Sequence, residues 1–363
     1  MKMTFPGIFL VSGSYFLALV LAIITIPPII RVAKAKKLFD ELNERKIHTR
    51  KVPVFGGIAI FIAFTLSTII STNGFNIDSL KYILAAIIIL FFTGLKDDIL
   101  VISANTKFII QLLAALMLIV MGNIRITDFQ WVFRVREIGY PLSVAVSLLL
   151  IMATVNAYNF IDGIDGLASG LGIFASVIFG SWFYLAGDIP WSIMSFALAG
   201  SLSGFFVFNV FGKTNKLFMG DSGSLIIGLI TSVLVIRFVE MNHDLPSFPA
   251  VYASPAVAFA IMFIPLFDLV RVFVIRISQK RSPFFADNRH IHHQMLRLVR
   301  SHLTITLIFL TVNLLIVLLS LYLSHIRLQV NIHLLILLAI GILFAITPTL
   351  LVSLRKKKAE SKR

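Results

Sequence analysis

The sequence predicts an all-α, polytopic integral membrane protein of about eleven transmembrane helices, with its N-terminus outside and its C-terminus cytoplasmic. Three observations predict it. The 363 residues are 58% apolar, and mean hydropathy is +0.95. The apolar residues fall in runs close to the roughly 20 that a helix needs to cross a bilayer. Lys and Arg, 32 against 17 Asp and Glu, gather in the connections on one side of that pattern, which makes that side cytoplasmic. The alternation of a membrane β-barrel is absent, so helices must satisfy the backbone in lipid.

Taken in order, the runs are 8–30, 55–72, 80–95, 106–122, 141–157, 167–187, 190–210, 224–240, 251–276, 303–323 and 332–354. The first is too long and too weakly flanked for a cleaved signal peptide and is read as a span. Pro27-Pro28 should end or kink it, and Pro265 and Pro348 should kink theirs. Segment 123–140 alternates briefly, in Ile124-Arg125-Ile126-Thr127 and Trp131-Val132-Phe133-Arg134-Val135, and reads as a small hairpin outside. In 284–300, the spacing of Ile291, Met295 and Leu298 fits a short amphipathic helix at the cytoplasmic interface. Residues 1–354 thus form one transmembrane domain and 355–363 a basic cytoplasmic tail. The connections 31–54, 96–107, 158–166, 211–223 and 271–302 share the cytoplasmic side with that tail, and all but 158–166 carry Lys or Arg.

Composition also excludes functions. With no cysteine, there is neither a disulfide nor a thiolate metal site. In such a chain a net charge of +15 reflects loop asymmetry and anionic headgroups, so no nucleic-acid partner is expected. No GxxxxGK[ST] phosphate loop and no Gly-x-Ser-x-Gly elbow appears.

Carboxylates recur at the cytoplasmic ends of the runs. An Asp at a helix centre in lipid costs roughly 2.5–3.5 kcal/mol, so such groups mark functional sites. Several together call for a hard divalent cation. Asp97-Asp98 ends the third run, where adjacent carboxylates ionise together only in water or near a cation. Lys107 opens the next helix and can reach the same pocket. Asn156-Ala-Tyr-Asn159-Phe-Ile-Asp162-Gly-Ile-Asp165-Gly follows the fifth run; if it is helical, Asp162 and Asp165 share a face. Phe218-Met-Gly-Asp221-Ser-Gly-Ser224 precedes another run and suits both a helix cap and an anion site, with Lys213 and Lys216 nearby. The fourth cluster, Ser282 to His293, holds Asp287, His290, His292 and His293 among Arg281, Arg289 and Arg297. Three His can bind zinc, but that setting favours an anion.

In this order the motifs resemble the polyprenyl-phosphate N-acetylhexosamine-1-phosphate transferases, the membrane superfamily that includes phospho-MurNAc-pentapeptide translocase. The matching pieces are Arg50-Lys-Val-Pro-Val-Phe-Gly-Gly57, Asp97-Asp98, Asn156 to Leu167, Phe218 to Ser224 and Ser282 to His293. The resemblance implies that a polyprenyl (undecaprenyl) phosphate attacks a UDP-HexNAc, giving a lipid-diphospho-sugar and UMP. It implies Mg²⁺, with Mn²⁺ as a substitute, and a bacterial inner-membrane location with the site facing the cytoplasm. The sequence leaves the oligomeric state open, with a homodimer among the alternatives.

By the same resemblance, Asp221 and Asp98 are the metal residues. Asp97, Asp98, Asp162, Asp165, His290, His292 and His293 are the catalytic set, with Asp97 as base or orienting group. Lys107, Asn156, Asn159, Lys216 and Arg289 bind substrate. Ile99-Leu100-Val101 stands where many members carry a third polar residue, and Asn209 is left without a role. The form of the His motif and Lys51-Val-Pro-x-x-Gly-Gly point to the GlcNAc-1-phosphate branch, initiating a surface polymer.

Two other classes compete. A secondary transporter of an anionic solute predicts midplane charges and pseudo-symmetric halves, neither of which the sequence shows. A CDP-alcohol phosphotransferase needs further Asp after Asp162-Gly-x-Asp165-Gly, where an apolar run begins.

Overall fold

The computed structural model describes residues 5–38, 52–75, 77–245, 248–280, 291–299 and 301–360. Among them there is no strand, and thirteen α-helices follow the apolar runs. These are α1 Phe5–Ala35, α2 Gly56–Ser71, α3 Leu80–Ile99, α4 Ala104–Leu116 (prolonged by a π-turn, Met117–Met121), α5 Tyr140–Ile161, α6 Leu167–Ala186 and α7 Ile189–Phe211. After them come α8 Asp221–Asp244, α9 Ser254–Ile261, α10 Phe263–Ser278, α11 Ile291–Leu296, α12 His302–His325 and α13 Val330–Glu360.

Among the described residues, eight helices are long and apolar enough to cross a membrane, or nine if the bent pair α9–α10 is one span. The sequence expectation was about eleven. The difference lies in α2 and α3. α2 has only 16 residues, and α3 carries Lys81, Lys96, Asp97 and Asp98 near its ends.

Hydrogen bonds define two ends of the bundle. At one, the N-termini of α2, α8 and α12 meet the C-termini of α3, α5 and α7. At the other, the 123–139 connection is pinned by Thr127 N–H to Glu240 at 2.8 Å and by Gln130 and Ser254 side chains at 2.7 Å. That connection forms the expected small hairpin, closed by a single antiparallel bridge, Asp128 to Glu137.

α8 lies at the centre. It is hydrophobic all round, as an enclosed helix is, and 94% of its apolar window is buried. It packs on α2, α3, α5, α6, α7 and α9, so whatever stands at its N-terminus stands at the middle of one end.

The prolines act unequally. α1 continues through Pro27-Pro28 to Ala35, and α13 continues through Pro348, passing the expected tail boundary at 354 to reach Glu360. Only the run holding Pro265 breaks, bending by 83° between α9 and α10. Asn313 of α12 fills that break, accepting Ile264 N–H at 3.2 Å and donating to Ile261 O at 3.0 Å. Pro265 sits in the first turn of α10, where its missing N–H costs nothing. The expected amphipathic helix appears as α11, with Ile291 buried and Met295 against the core.

Candidate active site

Backbone pairing brings two distant motifs together. Phe218 N–H donates to Pro53 O at 2.9 Å, while Gly56 and Gly57 N–H donate to Phe218 O and Met219 O at 2.9 and 2.8 Å. The Pro-Val-Phe-Gly-Gly segment therefore lies along the strand-like approach to α8. Gly220 turns the chain with φ +76°, and a Cβ there would stand 2.6 Å from Asp98 Oδ2. Glycine is required at that point both by the left-handed backbone and by the space.

The first turn of α8 is then capped from α3. Asp98 Oδ1 accepts Asp221 N–H at 2.7 Å, and Oδ2 accepts Ser222 N–H at 3.2 Å and Ser222 Oγ at 2.7 Å. Both oxygens of Asp98, expected from the sequence to be a metal residue beside Asp221, are thus committed to the helix start, whose dipole favours a negative charge there.

Asp221 itself points into a polar cluster. Asn159 Nδ2 donates to Asp221 Oδ1 and to Ser224 Oγ, both at 2.9 Å. Lys107 Nζ bonds Asp221 Oδ2 and lies 3.2 Å from Asp97 Oδ2. The other oxygen of Asp97 accepts Ile102 N–H at 2.7 Å. Four residues singled out in the sequence, from three helices besides α8, therefore meet around Asp221.

Asp162 and Asp165 do not share a helical face. α5 ends at Ile161, α6 begins at Leu167, and the residues between them form a turn with Gly166 at φ +81°. The glycines break the helix that would have aligned the two carboxylates. Asp162 has no hydrogen-bond partner among the described residues. Burial raises its carboxyl well above the ordinary range, and the carboxylates of Asp221, Asp98 and Asp165 raise it further.

Asp165 belongs to a second cluster. Its Oδ2 lies 2.6 Å from Lys216 Nζ and 3.1 Å from His302 Nδ1. Lys216 also stands over the ring of Phe218, 5.6 Å from its centroid. Asn209 is committed to the backbone, accepting Gly166 N–H at 2.6 Å and donating to Leu217 O at 3.0 Å.

Asn156 faces α4 rather than the acidic cluster, donating to Gln111 Oε1 at 2.9 Å and Met152 O at 2.8 Å. Arg289 and His290 lie outside the described residues. His292 and His293 fall in the backbone of α11, but their side chains also lie outside. Asp268 accepts Ile291 N–H at 3.0 Å and so ties the start of α11 to α10. Among the residues that sequence reasoning missed, Ser222 lay inside a recognised motif, whereas His302 and Gln111 carry no local signal. Gln111 is a single polar residue in an apolar run and His302 the last residue of a basic connection, and only the packing of α4 and α12 gives them these neighbours.

The donors suit a hard cation. They are carboxylate oxygens with no thiol, the Asp162 side chain has no hydrogen-bond partner among the described residues, and a lysine ammonium already holds positive charge between Asp97 and Asp221. Among the described residues, no three His, Asp or Glu are placed to hold a metal ion. Mg²⁺ needs no such cage, because it binds through one or two carboxylates plus substrate phosphates.

Residues 80–239 match the profile of glycosyl transferase family 4. The chain is 31% identical over 273 residues to the undecaprenyl-phosphate alpha-N-acetylglucosaminyl 1-phosphate transferase of Escherichia coli O157:H7, covering 74% of this chain and 71% of that protein. It is 29% identical over 271 residues to the protein of that name from Yersinia pestis, covering 74% and 72%. It is 32% identical over 293 residues to the decaprenyl-phosphate N-acetylglucosaminephosphotransferase of Mycobacterium leprae (strain TN), covering 73% and 72%.

Proposed function

Because this chain belongs to the polyprenyl-phosphate N-acetylhexosamine-1-phosphate transferases, within glycosyl transferase family 4, we propose that it transfers GlcNAc-1-phosphate from UDP-GlcNAc to undecaprenyl phosphate. An oxygen of the lipid phosphate attacks the phosphorus that bears the sugar. The bond from that phosphorus to the UMP oxygen breaks, and UMP leaves. The products are a lipid-diphospho-sugar, which begins a surface glycan, and UMP.

One observation carries this reading: Asp97, Lys107, Asn159 and Asp221 converge at the N-terminus of the central helix, at one end of the bundle. A lipid-borne and a water-borne substrate can meet only at such an end. We place it on the cytoplasmic face of the inner membrane, where sugar nucleotides are found and where the basic connections lie.

Phosphoryl transfer asks a protein mainly for position and charge. Lys107 and Lys216 offer cations to the diphosphate. Asp97, held by Ile102 N–H and Lys107, orients the lipid phosphate. Asp98 fixes the backbone that carries Asp221. We assign Mg²⁺, or Mn²⁺ in its place, to Asp221 with Asp162 as a second oxygen donor. When bound, it spreads the negative charge that builds on the diphosphate.

The test uses membranes containing the protein, labelled UDP-GlcNAc, undecaprenyl phosphate and Mg²⁺. Lipid-extractable label with UMP release, lost on chelation and in Asp221→Asn membranes, is the expected result. Turnover of UDP-MurNAc-pentapeptide but of no UDP-HexNAc would overturn the choice of sugar. Uptake of intact sugar nucleotide into vesicles without conversion would overturn the reaction.

A further inference from the structure

We infer that His302 is a positioning residue for the donor half of the site. It fixes the Asp165 turn, and through Asp165 the ammonium of Lys216, against the diphosphate of the sugar nucleotide. The inference rests on the reaction proposed above.

The first turn of α12 grips Asp165 at both backbone groups and at the carboxylate. His302 Nδ1 lies 3.2 Å from Asp165 N–H and 3.1 Å from Asp165 Oδ2. Thr306, one turn further on, donates its hydroxyl to Asp165 O at 3.1 Å. Gly166 N–H, next in the chain, goes to Asn209. The glycines let the chain turn here, and residues remote in sequence hold the turn in place.

The same Oδ2 that faces His302 takes Lys216 Nζ at 2.6 Å. An ammonium has three donors, so this bond leaves others for a phosphate while setting where the charge stands. The side chains of Asp165, His302 and Lys216 are 11%, 17% and 23% exposed. Water therefore replaces a lost hydrogen bond here only in part.

Nδ1 stands within reach of both the Asp165 N–H and Asp165 Oδ2, so whichever bond it makes ends on the same residue.

The experiment compares His302→Leu and His302→Asn with the wild type in the labelled transfer assay, varying UDP-GlcNAc and undecaprenyl phosphate separately. Asn keeps an acceptor and a donor close to the Nδ1 position. The expected result for His302→Leu is a KM for UDP-GlcNAc raised about tenfold, the loss of one partly shielded bond to a charged group. Its kcat and its KM for the lipid should stay within about twofold. His302→Asn should recover most of the loss. An unchanged donor KM in folded His302→Leu, a fall in kcat alone, or an Asn variant as impaired as Leu would each overturn the inference. If His302→Leu does not accumulate in membranes, Thr306→Val decides: a donor KM raised about threefold supports the grip, and an unchanged one overturns it. Failure of the wild type to transfer from any UDP-HexNAc is a separate result, and it overturns the proposed reaction itself.

Discussion

Asp98 caps the helix that Asp221 begins: its carboxylate, offered from α3, accepts the Asp221 N–H at 2.7 Å. The residue at the cap position itself is Gly220, which has no side chain to offer. Adjacent aspartates on α3 therefore divide two tasks, with Asp97 beside Lys107 and Asp98 under α8.

That division predicts different phenotypes. Asp98→Asn removes one of the two carboxylate acceptors from the first turn of α8, a change of about 1–2 kcal/mol for a lost cap. It should lower both the melting temperature and the transfer rate. Asp221→Asn should lower transfer at least a hundredfold and, unlike Asp98→Asn, leave the cap of α8 in place. Thermal unfolding of both variants in detergent, beside the labelled assay, checks this. An unshifted melting temperature for Asp98→Asn would remove the capping role.

Lys107 supplies the positive charge between Asp97 and Asp221. Removing one partner from a shielded ionic cluster costs several kcal/mol because the remaining charges stay unpaired. Lys107→Met should therefore be less stable than wild type in chelator and transfer at least a hundredfold more slowly. Millimolar Mg²⁺ should restore more of the melting temperature in the variant than it adds to wild type, since a ligand bound only by the folded state stabilises it. Equal Mg²⁺ shifts in the two proteins would show that the ammonium and the cation do not serve the same carboxylates.

Much of this site was legible from residue type and position. Asp97, Asp98, Asp162, Asp165 and Asp221 stand out because carboxylates at the ends of lipid-facing runs have no packing reason to be there. Lys107 was legible only as a neighbour of Asp97, and its bridge to Asp221 needed the fold. Asn156 and Asn159, three residues apart, looked alike in sequence, yet one serves Gln111 and the other Asp221. Asp162 and Asp165 would share a face only in a helix, and α5 ends at Ile161, before either of them. His302 was invisible: a polar residue opening an apolar run gives no hint that a turn more than a hundred residues earlier will close on it. Helices α2 and α3 show the same limit for the fold, since a helix of 16 residues and one with four charges near its ends lie at the edge of what length and composition decide.

Asp162 predicts a pH effect with a definite sign. Its carboxyl is raised well above the ordinary value near 3.8, by burial first and then by Asp221, Asp98 and Asp165. The folded state then holds the proton more tightly than the unfolded chain. The contribution to stability is full below about that ordinary value and is lost as pH rises through the raised one. Asp162→Asn, which cannot ionise, should melt higher than wild type at pH 7.5, and the gap should narrow as pH falls towards 4. Mg²⁺ should narrow it too, while transfer by the variant falls. A gap that widens on acidification would show that Asp162 is stabilised as the anion.

Two asparagines make the same pair of bonds in different surroundings, and this separates burial from geometry. Asn313 accepts Ile264 N–H and donates to Ile261 O across the 83° bend of α9–α10. Asn331 accepts Phe133 N–H and donates to Trp131 O at the far, exposed end of the bundle. Loss of the Asn313 side chain takes the partner from a buried N–H and a buried C=O, whereas at the exposed end only Phe133 N–H loses its partner, because Trp131 O still accepts Arg134 N–H at 2.9 Å. A buried unpaired group costs about 1–3 kcal/mol, so Asn313→Leu should lower the melting temperature clearly, whereas Asn331→Leu should barely move it. The bend also sets α10, from which Asp268 holds Ile291 and the start of the histidine-bearing α11. Asn313→Leu should therefore lose transfer at temperatures where it is still folded, and Asn331→Leu should not. Equal losses of stability in the two variants would show that the buried amide is not what holds the bend.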